Sequence, residues 1–72
     1  MEDKFLKFIA DIMEVEPQEI SMNTEYNNFT KWDSLMMLTL IMEIESEYDV
    51  NIPMEKVEKI KKLEDLYTLI NE

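Results

Sequence analysis

The stretch that decides the fold is DSLMMLTLIMEIESEYD, residues 33–49. Apolar residues recur in it at the three- to four-residue spacing of one helix face. The expected buried stripe consists of Leu35, Leu38, Ile41 and Ile44, with Leu40 widening it. This spacing predicts a helix over residues 34–49, and the preceding Asp33 is of a type that caps helix N-termini well.

The first amphipathic segment of the chain predicts a helix over residues 3–14, which Pro17 prevents from continuing. A long connection over residues 15–33 follows, because its apolar residues obey no single period and its asparagines favour turns. Ile20 and Phe29 are expected to pack this connection against the side of the helices.

Two more helices follow the central one. Pro53 suits a first helical turn and opens a short helix over residues 54–59, and apolar spacing predicts a final helix over residues 63–71. No stretch alternates for long enough to predict a strand. We therefore predict an all-α fold, a small four-helix bundle of three main helices and one short helix with a long first loop. It forms a single domain over residues 1–72.

The composition excludes several functions. Seventeen acids and seven bases leave a formal net charge of −10, which repels nucleic acid and anionic membranes. No apolar run approaches the roughly 20 residues that span a bilayer, and the acidic start lacks a signal-peptide pattern. Without cysteine, histidine or glycine, the chain offers no disulfide, no zinc cluster and no EF-hand loop. We expect a cytoplasmic monomer without a metal site.

Ser34 lies at the start of the predicted central helix. The simplest interpretation is that Asp33 caps the helix and Ser34 occupies its first turn. With no histidine or cysteine, the chain offers this serine no ordinary base partner, so an enzyme is not expected. If Ser34 takes part in chemistry, another protein performs that chemistry on it.

The surrounding residues resemble the acyl carrier protein family over essentially all of the 72-residue chain. The resemblance lies in Trp32-Asp33-Ser34-Leu35, in the helix end Glu47-Tyr48-Asp49, in Ile52-Pro53, and in the closing segment Ile60-Lys61-Lys62-Leu63-Glu64-Asp65-Leu66. It implies that Ser34 carries 4′-phosphopantetheine, which a phosphopantetheinyl transferase attaches from coenzyme A. The thiol of that arm would hold an acyl group as a thioester. Asp33 would cap the helix or help the transferase to position a metal ion.

The same resemblance implies an apolar cavity that shelters the acyl chain between helices. The candidates for its lining are Leu38, Leu40, Ile44, Ile52, Val57, Ile60 and Leu66. Ordinary core packing is the competing interpretation for each of these residues.

The central helix is the surface that partner enzymes are expected to contact, and it departs from the family pattern. Met36 and Thr39 stand where carriers of the fatty-acid type often have acids, and Trp32 stands where a glycine is common. Neighbouring positions 36 and 37 cannot both lie at the centre of one buried stripe, so at least one methionine is expected to be partly exposed. The predicted docking residues are Met36, Met37, Met42, Glu43 and Glu47.

The cargo and the pathway stay open at this point. The partners implied are the transferase and an acyl-activating ligase, ketosynthase or acyltransferase with a basic docking patch. The pathway is either fatty-acid biosynthesis or a specialised biosynthesis, and an aminoacyl or peptidyl carrier is an alternative. A different alternative is an unmodified acidic module that binds a basic amphipathic helix in a groove.

Overall fold

Four α-helices carry the fold of residues 2–71, which are the residues that the computed structural model describes. They are α1 (Glu2–Met13), α2 (Ser34–Tyr48), α3 (Met54–Val57) and α4 (Leu63–Ile70), and a 3-10 turn, Pro17–Glu19, follows α1. No strand occurs within these residues, so the all-α prediction is confirmed. The first and last positions of the predicted domain, Met1 and Glu72, lie outside the described residues.

The buried face of α2 differs from the predicted one. Its buried residues are Met37, Leu40, Ile41 and Ile44. Leu35 and Leu38 are instead 74% and 50% exposed, so their assignment to the buried stripe is wrong. Apolar residues occur on several sides of this helix, and more than one set of them has helical spacing. The packing of the other helices, rather than the spacing, decides which set turns inward.

The core forms where α1, α2 and α4 meet. Phe5, Ile9 and Met13 of α1 are buried there with Leu63 and Leu66 of α4. The predicted packing of the first connection is confirmed, since Ile20 is buried and Phe29 packs partly buried against the core. None of the helices described between residues 2 and 71 is both long and apolar enough to cross a membrane.

The helix ends use acidic residues in place of glycine. The Oδ1 atom of Asp33 accepts a hydrogen bond from the backbone N–H of Met36 at 2.9 Å, which caps α2. Asp49 ends α2 in the left-handed region, at φ 53°. At α4, Oδ2 of Asp65 accepts hydrogen bonds from the backbone N–H groups of Lys61 and Lys62 at 2.8 and 3.1 Å. An N-cap such as Asp33 contributes about 1 kcal/mol to helix stability.

Backbone hydrogen bonds fasten the long connection to the start of α4. The N–H of Tyr26 donates to the carbonyl of Lys61 at 2.7 Å, beside an isolated antiparallel bridge between Glu25 and Lys62. In the other direction, the N–H of Leu63 donates to the carbonyl of Thr24 at 3.0 Å. These bonds hold the second half of the connection beside α4, and so determine which of its side chains face the beginning of α2.

Candidate functional site

Ser34 is the first residue of α2, and its side chain is exposed. The first backbone hydrogen bond of the helix runs from the N–H of Met37 to the carbonyl of Asp33 at 2.8 Å. The N–H groups of Ser34 and Leu35 therefore precede the hydrogen-bonded turns and point out of the helix end. Such an end carries a partial positive charge, which favours an anion close to the Ser34 hydroxyl.

Asp33 has the capping role that its sequence position predicts. Its carboxylate accepts the Met36 N–H and remains exposed to solvent, so it is accessible to a second protein. The capping prediction is confirmed by this bond. A role for the same carboxylate at a transferase metal ion stays a prediction.

The sequence offers Ser34 no histidine or cysteine as a base. Its Oγ atom lies 3.0 Å from the phenolic oxygen of Tyr26. Within residues 2–71, no group of three or more acidic side chains is placed to hold a metal ion. The side chain in contact with the Ser34 hydroxyl is thus another hydroxyl.

A cavity of about 660 Å³ opens beside Ser34 and is bounded by α2, α3 and the first connection. Its apolar lining comes from Met37, Leu38, Met54, Val57 and Ile60. Leu38, Val57 and Ile60 are thus predicted pocket residues that do line a cavity next to the serine. Polar groups of the lining include Glu25, Asn27, Glu58 and Lys61. An apolar chain that starts at Ser34 would find an apolar surface within this cavity.

The remaining predicted pocket residues do not line this cavity. They are Leu40, Ile44, Ile52 and Leu66, and all four are buried members of the core cluster. Core packing, the competing interpretation, describes their position in this structure, and a role in sheltering an acyl chain stays a prediction for them. Met37 and Met54 line the cavity but were not predicted to do so, since spacing alone could not show that α3 crosses near the first turns of α2.

The outward side of α2 is apolar near the serine. Leu35 and Met42 are 74% and 70% exposed. Met36 is partly exposed, which confirms the prediction that at least one of positions 36 and 37 is not fully buried. Met37 is only 6% exposed and belongs to the core, so its prediction as a docking residue is wrong. Its side chain points inward because it shares one helix face with Leu40, Ile41 and Ile44.

The acidic part of this surface follows further along α2. Glu43 and Glu47 are exposed, as a docking role requires. The outward side therefore has two parts, an apolar part at Leu35, Met36 and Met42 and an acidic part at Glu43 and Glu47. The sequence signal that could have identified Leu35 as exposed is its position directly after the serine, which must itself reach solvent.

Trp32 lies beneath the site and is 1% exposed. Its ring packs edge-on against the ring of Tyr26, with a centroid distance of 5.5 Å. Its Nε1 atom is buried and has no hydrogen-bond partner among the described residues. Trp32 thus fills space in the core and supports the tyrosine that contacts Ser34.

Comparisons with known proteins agree with this geometry. The family model described as "Phosphopantetheine attachment site" matches residues 3–70. The chain is 38% identical over 72 residues to an acyl carrier protein of Rickettsia bellii, an alignment covering 100% of this chain and 84% of that protein. It is 33% identical over 69 residues to an acyl carrier protein of Thermosynechococcus vestitus, covering 96% of this chain and 85% of that protein.

An acyl carrier protein of Petrotoga mobilis is also similar, at 33% identity over 70 residues, covering 97% of this chain and 82% of that protein. The helical fold, the exposed serine and the matched family model together define a phosphopantetheine-binding carrier domain. The chain belongs to the acyl carrier protein family. The resemblance inferred from its motifs is confirmed, and 4′-phosphopantetheine is the prosthetic group of this class.

Proposed function

We propose that this chain holds acyl groups as thioesters on a 4′-phosphopantetheine arm attached to Ser34, and that it presents them to partner enzymes. The observation that carries the proposal is the position of Ser34, exposed at the first residue of α2 and on the wall of the 660 Å³ cavity. Other exposed hydroxyls of the chain, such as those of Ser21, Thr30 and Ser46, lie in the first connection or within a helix rather than at the first residue of one.

The residues around Ser34 suit a phosphodiester. The backbone N–H groups of Ser34 and Leu35 and the dipole of α2 favour a negative charge there by about 0.3–1 kcal/mol when it is exposed. During attachment, the Ser34 oxygen bonds to a phosphorus of the coenzyme A pyrophosphate, the pyrophosphate P–O bond breaks, and adenosine 3′,5′-bisphosphate leaves. The serine proton passes to a base on the transferase, because this chain has no histidine or cysteine.

The chain itself then acts as a holder rather than as an enzyme. When bound, the arm supplies a thiol that carries the acyl group within reach of partner enzymes, at a high effective concentration. Leu38, Val57 and Ile60, with Met37 and Met54, offer that cargo an apolar surface beside its attachment point. Sheltering the apolar chain there removes it from water and limits its contact with unrelated proteins.

Partner enzymes contact the outward side of α2 in this proposal. Leu35, Met36 and Met42 provide apolar contact near the serine, and Glu43 and Glu47 attract a basic patch on the partner. The partners are a phosphopantetheinyl transferase and an acyl-activating ligase, ketosynthase or acyltransferase. Because the serine end of α2 is apolar, a carrier dedicated to one specialised partner suits this surface as well as fatty-acid biosynthesis does. We propose that the chain carries its acyl group as a monomer in the cytoplasm.

The experiment that tests the proposal is a measurement of intact mass. The purified chain is incubated with coenzyme A, magnesium and a broad-specificity transferase, and we expect one phosphopantetheine to be added. Ser34→Ala abolishes the addition, whereas Ser46→Ala, which removes another exposed serine of α2, leaves it unchanged. No addition to the unaltered chain, under conditions that load a control carrier, would support the unmodified helix-binding module instead.

The nature of the cargo requires a separate measurement. The mass of the protein isolated from its native cells reports the arm and its cargo together. An aminoacyl or peptidyl mass on the arm would replace the acyl assignment and keep the attachment at Ser34.

A further inference from the structure

Tyr26 is the side chain in direct polar contact with the Ser34 hydroxyl. The phenolic oxygen lies 3.0 Å from Oγ of Ser34, and either hydroxyl can act as the donor. The two residues are eight positions apart and belong to different elements, the first connection and α2. Both also line the same cavity. The contact is therefore tertiary and lies at the point where an attached group would leave the protein.

Three sets of contacts fix the position of Tyr26. Its N–H donates to the carbonyl of Lys61 at 2.7 Å, and the adjacent Glu25 forms the bridge with Lys62. Its ring packs on the buried ring of Trp32 at 5.5 Å. A side chain that is held at its backbone and at its ring has little rotational freedom left to lose when its hydroxyl binds a partner.

We propose that Tyr26 is a positioning residue of the modification site, which orients Ser34 Oγ before modification and donates a hydrogen bond to the phosphodiester afterwards. This inference rests on the proposed function, because it requires that Ser34 be the attachment residue. The serine loses its proton on modification, so the pair is left with one hydroxyl donor, that of Tyr26. The new group is an anion, and a hydrogen bond to an anion is roughly twice as strong as one between neutral groups.

The proposed role of Tyr26 follows from the chemistry of Ser34 before and after modification. In the unmodified chain, the contact between two neutral hydroxyls restricts the rotation of the serine side chain. In the modified chain, the phenol reinforces the N–H groups at the start of α2, so the phosphodiester is held from the loop as well as from the helix. The first atoms of the arm are thereby kept at the cavity, rather than swinging freely in solvent.

The first test compares Tyr26→Phe with the unaltered chain in both states. This change removes the hydroxyl and keeps the ring that packs on Trp32. We expect Tyr26→Phe to lower the Tm of the modified form by about 4 °C more than that of the unmodified form, because the hydrogen bond to the anion is the stronger one. The ³¹P resonance of the phosphodiester should also move. Tyr48→Phe, a matched change at the opposite end of α2, should alter neither quantity.

A second measurement uses the unaltered chain and so does not depend on how the variant folds. With tyrosines labelled at ¹³Cζ, modification should shift the resonance of Tyr26 and leave those of Tyr48 and Tyr67 in place. Equal Tm losses in the two forms, together with unmoved ³¹P and Tyr26 ¹³Cζ resonances, would overturn the inference about Tyr26. Failure of the transferase to modify the unaltered chain would overturn the proposed function instead, so the two failures are distinguishable.

Discussion

Helices α2 and α4 use their apolar residues differently. In α4, Leu63 and Leu66 are completely buried, and Leu69 and Ile70 pack partly buried against the core. In α2, one set of apolar residues is equally buried, but Leu35, Leu38 and Met42 are exposed in addition. Exposed apolar side chains add nothing to the stability of the isolated chain, and a cluster of them marks an interaction surface. The comparison supports the proposal that α2, besides its part in the core, contacts partner proteins.

The positions of the exposed large apolar residues support this difference between α2 and α4. The large apolar side chains exposed among residues 2–71 are Leu35, Leu38, Met42 and Met54. They belong to α2 and α3, the two helices that border the cavity at Ser34. The other two helices, α1 and α4, contribute none of them. The exposed large apolar residues are thus concentrated on the helices that border the cavity at Ser34.

The difference between the buried and the exposed side of α2 is tested most directly by truncating one leucine on each side. Leu40→Ala should cost about 2–5 kcal/mol in the free energy of unfolding, because a completely buried side chain leaves a cavity. Leu38→Ala, the same chemical change at a half-exposed position, should change it by less than about 1 kcal/mol. Urea denaturation measures both values. Equal losses would mean that the two sides of α2 do not differ as described.

The contact role of α2 is tested next by placing a charge in its apolar part. Met36→Glu should lower kcat/KM for loading by the native partner roughly tenfold, which corresponds to about 1.4 kcal/mol, a typical loss for a central interface residue. Ser46→Glu adds the same charge to the acidic, exposed end of α2 and should have little effect. Loading kinetics that Met36→Glu leaves unchanged would remove Met36 from the docking surface.

The two aspartates at helix starts offer a third test, because Asp33 is the N-cap of α2 and Asp65, in the first turn of α4, accepts the N–H of the N-cap residue Lys62. Asp33→Ala and Asp65→Ala should each destabilise the chain by about 1 kcal/mol, measured by thermal unfolding. Asp33→Asn retains the cap and its stability. If Asp33→Asn nevertheless slows loading while Asp65→Ala does not, the Asp33 carboxylate acts in the transferase complex. If none of these changes slows loading, Asp33 is a cap alone.

The smallest expected effect concerns the acidic part of α2 and the net charge of −10. Mutual repulsion of so many carboxylates destabilises the compact chain, and added ions screen that repulsion. We expect added sodium chloride or magnesium chloride to raise the Tm by a few degrees, roughly the effect of 0.5–1 kcal/mol in a domain of this size. Differential scanning fluorimetry at a series of salt concentrations measures it. A flat response would show that the carboxylates are spaced widely enough not to repel each other.

Much of the fold could be predicted from sequence. The four helices occur within two residues of their predicted bounds, because helical spacing, prolines and capping residues are local signals. The family and its attachment serine could also be predicted from sequence, since the motif around Ser34 is continuous in the chain. The inward face of α2 could not be predicted in this way, and the cavity-lining residues Met37 and Met54 were missed. Leu35 was predicted to be buried and is exposed, whereas Met37 was predicted to be a docking residue and is buried. The prediction failed there because apolar residues surround the first turns of this helix.

Local signals in the chain specify where the helices begin and end and that Asp33 caps α2, and the composition leaves Ser34 without a histidine or cysteine partner. These properties depend on neighbours within a few positions along the chain. The folded chain, in contrast, is needed to see that Met37 turns inward, that α3 borders the cavity, and that Tyr26 contacts Ser34. The physical reason is that each of these depends on contacts between distant segments, above all on the hydrogen bonds that fasten residues 22–26 to the start of α4.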